Sequence, residues 1–391
     1  MRTTTRIFII ILIAGLTACK QKAGKEKTET APQTEQAGTD TPLLSEKAFD
    51  TIIDGKQVGL YWIESSGIKA AFTNYGGRLI GLWVPDKDGK ITDVVWGPGS
   101  ISGYTDTTEP YFGATIGRVG NRIAKGKFTL NGKTYSIPVN NGENSLHGGK
   151  KGFQDVVWEA EQPDKQTLVL HYNSPDMEEG FPGNLDVQVT YSIAGNTLRM
   201  EYEAITDKAT PVNLTNHAFF NLNGEGSGSI LEHKARFYAD QFTPVDDGLI
   251  PTGELRDVKG TPFDFTEPHT IGERIETDNE QLKYGKGYDH NFVLNNTPAE
   301  GMNHAATVTG DRSGIVMDVY TEEPGMQFYS GNFMQGKNTF KSGAKDEFRT
   351  AFALETQHFP DAPNQPDFPS IILNPGETYH TVSLYRFSLT P

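Results

Sequence analysis

Along much of the chain apolar and polar residues alternate, the two-residue period of a strand with one buried and one wet face. Lys127-Phe128-Thr129-Leu130 and Lys133-Thr134-Tyr135-Ser136-Ile137 are two such segments. Asn131-Gly132 between them favours a tight type I′ turn, because both residues tolerate a positive φ. Val187 to Ile193 and Leu198 to Ala204 flank Ala194-Gly195-Asn196 in the same way, and Ser383 to Leu389 puts Tyr385, Phe387 and Leu389 on one face. Helical periodicity is scarce. Thr270 to Ile275 predicts one short helix capped by Thr270, and no stretch repeats the strand and helix alternation of a parallel α/β fold. The pattern predicts an all-β protein, built as a large antiparallel β-sandwich or related stacked sheets.

The N-terminus departs from this pattern. Arg2 and Arg6 precede a ten-residue apolar run, Ile7 to Leu16. The run falls short of the ~20 residues that span a bilayer and reads as an export signal. It ends in Leu16-Thr17-Ala18-Cys19, which resembles the lipobox of bacterial lipoproteins, where the cysteine takes a lipid and becomes the first mature residue. Lys20 to Ala48 contain no aromatic residue and are dominated by Lys, Glu, Thr, Gln and Ala, the composition of a solvated tether. From Phe49 onward no second low-complexity stretch marks a linker. The expected organisation is a signal peptide over 1–18, a tether over 19–45 and one domain over 46–391. The protein would be exported and anchored through Cys19, facing the periplasm or the cell surface.

Composition removes several function classes. Cys19 is the only cysteine in 391 residues, so disulfide frameworks and cysteine-based metal clusters drop out. A net charge of -15 disfavours a nucleic-acid backbone as partner. The nucleophile elbow, the phosphate-binding loop, the dinucleotide fingerprint and the helical zinc motif are all missing. Glu355 and His358 have a metal-like spacing only if helical, and Pro360, Pro363, Pro366 and Pro369 argue instead for a stiff, extended loop. No metal site is predicted.

Candidate chemistry lies where polar groups interrupt apolar, strand-like runs. Asn213 to Leu222 places His217 beside Ala218-Phe219-Phe220, and Thr350 to Pro360 ends an apolar run in Glu355. Tyr288-Asp289-His290-Asn291 opens another such run. Gly117-Arg118-Val119-Gly120-Asn121-Arg122-Ile123 combines glycines with two guanidiniums, and Asn144-Ser145-Leu146-His147-Gly148-Gly149 adds a loop histidine. Taken singly, each is compatible with a structural role: a hydrogen-bonded strand histidine, an edge carboxylate, arginines paired with surface acids.

In order, these segments resemble the aldose 1-epimerase, or galactose mutarotase, family from about Gly59 to Phe387. Asn74-Tyr75-Gly76-Gly77 and Leu354-Glu355-Thr356-Gln357-His358-Phe359-Pro360-Asp361 complete the set. The resemblance implies that family's β-supersandwich, His217 as general acid and Glu355 as general base. It also implies sugar binding by Asn121, Arg122, His147, Asp289 and Gln327, the last within Gly325-Met326-Gln327-Phe328-Tyr329. The implied reaction opens and recloses the ring of a free aldose such as glucose or galactose and requires no cofactor, although the acidic balance permits a Ca²⁺. A monomer is the expected state. Nearby carboxylates are expected to raise the pKa of His217, and Arg122 to keep Glu355 ionised. Phe328 or Tyr329 would stack on the sugar. Two other readings use the same residues: a noncatalytic carbohydrate-binding sandwich, and a glycoside hydrolase working through Glu355 and Asp289.

Overall fold

Strict alternation produces the longest strands. In the computed structural model, Leu185–Ala194 and Thr197–Thr206 bury every second side chain and pair antiparallel across a two-residue Gly195-Asn196 turn. They lie in a ten-stranded antiparallel sheet that continues through Tyr379–Leu389, Ile315–Thr321 and Met302–Thr309. Its apolar face packs on a seven-stranded sheet whose centre runs Asp289–Val293, Gly325–Tyr329, Phe352–Gln357 and Phe219–Phe220. Between the sheets lies one core that includes Leu170, Val189, Met200, Met317 and Phe387 from the first and Phe292, Phe328, Leu354 and Phe220 from the second. Each such side chain contributes about 1.5–3 kcal/mol by leaving water. The structure describes residues 44–296, 298–299 and 301–391. The signal, Cys19 and tether expectations lie outside them, and all residues from 44 on belong to one compact unit.

The expected hairpin forms as Lys127–Leu130 and Lys133–Ser136, with Asn131 and Gly132 both at positive φ. The strand at the C-terminus forms as well, but Leu389 runs past the core and is exposed, whereas Tyr385 and Phe387 are buried. No helix forms over 270–275. His269–Thr270 pairs instead with Lys234–Phe237, and the Ile271 and Gly272 N–H groups donate to the carbonyls of His233 and Leu231. Long-range backbone bonds prevail over local helix propensity there. The described α-helices are Ile101–Thr105, capped by Ser100, and Glu280–Gly285, capped by Asn279.

Candidate active site

Strand pleating decides which polar residues reach the site. In Asp289–Val293, Asp289 faces a cavity while His290 turns into the core, where its Nε2 lies 3.2 Å from Gln281 Oε1. Tyr329 lines the same cavity, while its neighbour Phe328 is fully buried between the sheets. Phe328 therefore cannot stack on a sugar. Glu355 stands on the cavity face of Phe352–Gln357, directly across from Gln327 in the neighbouring strand.

Loops carry the other half of the site. The Asn216 side-chain oxygen accepts from Ala218 N at 3.0 Å, and its amide donates to Gly113 O at 3.1 Å, which fixes the turn holding His217. The His217 ring lies 4.8 Å from that of Phe219 and nearly parallel to it. Asn121 and His147 both have positive φ, and the Asn121 N–H donates to His147 Nδ1 at 3.1 Å. This bond leaves the proton of the neutral ring on Nε2, so His147 is poised as a hydrogen-bond donor. The backbone after it is crowded: a Cβ on Gly148 would sit 2.0 Å from Gly117 O. The proline-rich loop grips the same region, since Asp361 N donates to Arg122 O at 2.8 Å and Asp361 Oδ1 accepts from Ala124 N at 2.9 Å.

These elements surround a cavity of about 1080 Å³ whose wall includes Asn121, Arg122, His147, His217, Asp289 and Glu355. His217 Nε2 lies 3.5 Å from Glu355 Oε1. Arg122 Nη2 is 3.8 Å from Asp289 Oδ2, and its Nε donates to Asn141 Oδ1 at 3.1 Å. Gln327 is set behind the wall and donates to Asp289 Oδ1 at 2.7 Å, so it orients that carboxylate. Arg118, the other guanidinium of its motif, is committed elsewhere: it is buried and donates to the carbonyls of Pro182 and Gly183 and to Ser174 Oγ. Glu355 Oε2 is buried without a hydrogen-bond partner among the described residues, a cost of about 1–3 kcal/mol that a ligand hydroxyl would relieve.

Burial dominates the electrostatics and reverses the expected protonation. His217 is pushed down to about 4 by desolvation, and no neighbouring carboxylate offsets that. Burial raises Glu355 well above the usual carboxylate range, the Asp289 carboxylate adds to the rise, and Arg122 opposes it without overcoming it. Burial thus works against the charged form of both members of the pair. Asp289 is also raised by burial, against the pull of Arg122, and burial carries His147 well below the ordinary histidine value.

An imidazole and a carboxyl 3.5 Å apart, at the wall of a cavity lined by polar groups that can recognise hydroxyls, form a candidate acid–base site for a small polyol. Residues 60–386 match the aldose 1-epimerase family. The chain belongs to the aldose 1-epimerase family. Among its relatives is the galactose mutarotase of Bos taurus, 44% identical over 331 residues, covering 84% of this chain and 94% of that protein. The aldose 1-epimerase of Escherichia coli K12 is 36% identical over 338 residues, covering 85% and 96%. A crystal structure of an aldose epimerase homologue from C. elegans superposes with a TM-score of 0.78 at 31% identity, covering 85% of this chain and all of that one.

Sequence reasoning missed Tyr111, whose ring lies 4.5 Å from that of His147 and 5.8 Å from that of His217. It also missed the Asp246 to Ile250 loop, Phe333 and Glu109 at the cavity wall. The signal for Tyr111 was an aromatic pair, Tyr111-Phe112, between a proline and a glycine.

Proposed function

We propose that this enzyme interconverts the α and β anomers of free aldoses such as glucose and galactose, with Glu355 as base and His217 as acid. The observation that carries the reading is the 3.5 Å approach of His217 Nε2 to Glu355 Oε1 at the wall of one cavity. O1 and O5 of a pyranose are both bonded to C1, so two groups this close reach both oxygens of one hemiacetal. The pair with its proton on the imidazole and the pair with its proton on the carboxyl differ only in where that proton sits. A C1 hydroxyl donating to Glu355 favours the charged arrangement, from which the reaction proceeds. Glu355 takes the O1 proton, the C1–O5 bond breaks as His217 protonates O5, and an aldehyde forms. Rotation about C1–C2 presents the other carbonyl face to O5. Closure returns a proton to O1 and one to His217, and the enzyme is regenerated without a cofactor. Asp289 and Arg122 bind ring hydroxyls, His147 donates through Nε2, and Gln327 acts by orienting Asp289.

Polarimetry of freshly dissolved α-D-glucose and α-D-galactose tests this. The optical change is expected to accelerate in proportion to enzyme, and no acceleration with any free aldose would leave a binding module. Across pH, the active form holds a single proton in the pair. Protonation of His217 near 4 ends activity on the acid side, and loss of the Glu355 proton, above the usual carboxylate range, ends it on the basic side. An acid limb at or above pH 6 contradicts the protonation pattern.

The apolar run and lipobox support export and anchoring through Cys19. A Cys19→Ser chain is expected to lose fatty-acid labelling and membrane association in cell fractions. Unchanged labelling rejects the anchor.

A further inference from the structure

Besides Asp289 and Glu355, the cavity wall carries the carboxyl of Glu109, which has no part in the acid–base chemistry. Its segment is firmly built. Asn338 Oδ1 accepts from Thr107 Oγ1 and from Thr108 N, both at 3.0 Å, and Asn338 Nδ2 donates to Asp346 Oδ2 at 2.7 Å. Thr107 Oγ1 donates to Glu109 O at 3.0 Å, and Arg78 Nη2 donates to Pro110 O at 2.9 Å. The ring of Tyr111, two residues on, adjoins His147 and His217, so the Glu109 segment runs beside the loop half of the sugar site.

Its surroundings do not favour a charge. Half-buried on the wall, Glu109 is raised to about 7 by desolvation, and the carboxylates of Asp346 and Asp289 add to the rise. In return, its charge raises Glu355, Tyr111 and Tyr329. Arg122, which favours the charged forms of Asp289 and Glu355, is already engaged with Asp289. No salt bridge relieves Glu109 among the described residues. A carboxyl braced on a cavity wall against like charges opposes stability, which marks it as a group kept for binding.

We infer that Glu109 is a specificity-determining residue: its carboxyl recognises a hydroxyl of the bound aldose remote from C1, supplementing Asp289. The inference rests on the mutarotase reading. Glu109→Gln keeps the size of the side chain but removes the charge. For sugars that carry the recognised hydroxyl, KM is expected to rise about 10-fold or more, the usual worth of a hydrogen bond to a charged group, and to rise more than kcat falls. One monodeoxy aldose in a positional series should lose little further in the variant, because its missing hydroxyl is the partner. The difference from the parent should be larger at pH 8 than at pH 6, where the parent's own carboxyl is mostly protonated. The basic limb should move to lower pH as Glu355 loses a like-charged neighbour. Thermal stability should hold or increase. A KM within twofold for every sugar, or a fall in melting temperature together with an unshifted pH profile, overturns the inference. Failure of the mutarotase reading is seen separately, as an inactive parent enzyme.

Discussion

Replacing Glu355 with Gln is expected to lower kcat for mutarotation by about 10³-fold or more while leaving the protein folded. A single positioned proton transfer is typically worth about 10² to 10⁴ in rate. Glu355 takes part in both ring opening and closure, and an amide has no basic site with which to accept the O1 proton. The upper half of that range is therefore expected. The fold should tolerate the change because the carboxyl is buried and desolvation disfavours its charge. A carbamoyl group of nearly the same shape replaces it without stranding a charge. KM should change far less than kcat, since Arg122, Asp289, His147 and Asn121 remain in place. Polarimetry gives the rate, and circular dichroism with thermal melting shows whether the fold persists. A folded variant retaining a tenth or more of the parent rate would remove Glu355 from its role as base.

How much of this was readable in advance differs between fold and site. Alternation marks Leu185–Ala194, Thr197–Thr206 and Tyr379–Leu389 because each has one face in the core, and a two-residue period records that directly. Thr270 to Ile275 misleads because its backbone is claimed by His233 and Leu231, which are distant in sequence from any local signal. At the site, His217 and Glu355 stood out as polar groups within apolar runs. Their meeting was not written in either run, and the resemblance to a family supplied it. Asp289 and His290 look alike in sequence, and only the pleat sends one to the cavity and the other to the core. Counting nearby carboxylates suggested a charged His217. What decided its state was the depth of burial, a property of the closed fold that no count of charges contains.

The segment between Gly325–Tyr329 and Phe352–Gln357 carries Phe333 to the cavity and Asn338 to Thr107 and Thr108 beside it, and a buried charge cluster fastens it. Lys341 Nζ donates to Ile80 O at 2.9 Å, Val95 O at 2.8 Å and Glu225 Oε2 at 2.6 Å, and lies 3.3 Å from Asp93 Oδ2. The carboxylates are tied in turn: Asp93 Oδ1 accepts from Leu82 N, and Glu225 Oε1 accepts from Ser342 N. Lys341→Met preserves most of the apolar stem but leaves two carboxyls facing each other without a cation. Removing one partner from a buried pair costs about 3–5 kcal/mol, and denaturant unfolding at pH 8 is expected to show a loss of that size. The sign of the pH dependence follows from Asp93, which burial raises to about 6 even with Lys341 beside it. Without the lysine, Asp93 would bind a proton still more readily in the folded than in the unfolded chain. Stability should then recover as pH falls toward 5, narrowing the gap to the parent. Adding Glu225→Gln should restore part of the loss at pH 8, because one of the two stranded charges is gone. A loss below 1 kcal/mol, or one equal at both pH values, would mean that Lys341 packs against the segment without holding it electrostatically.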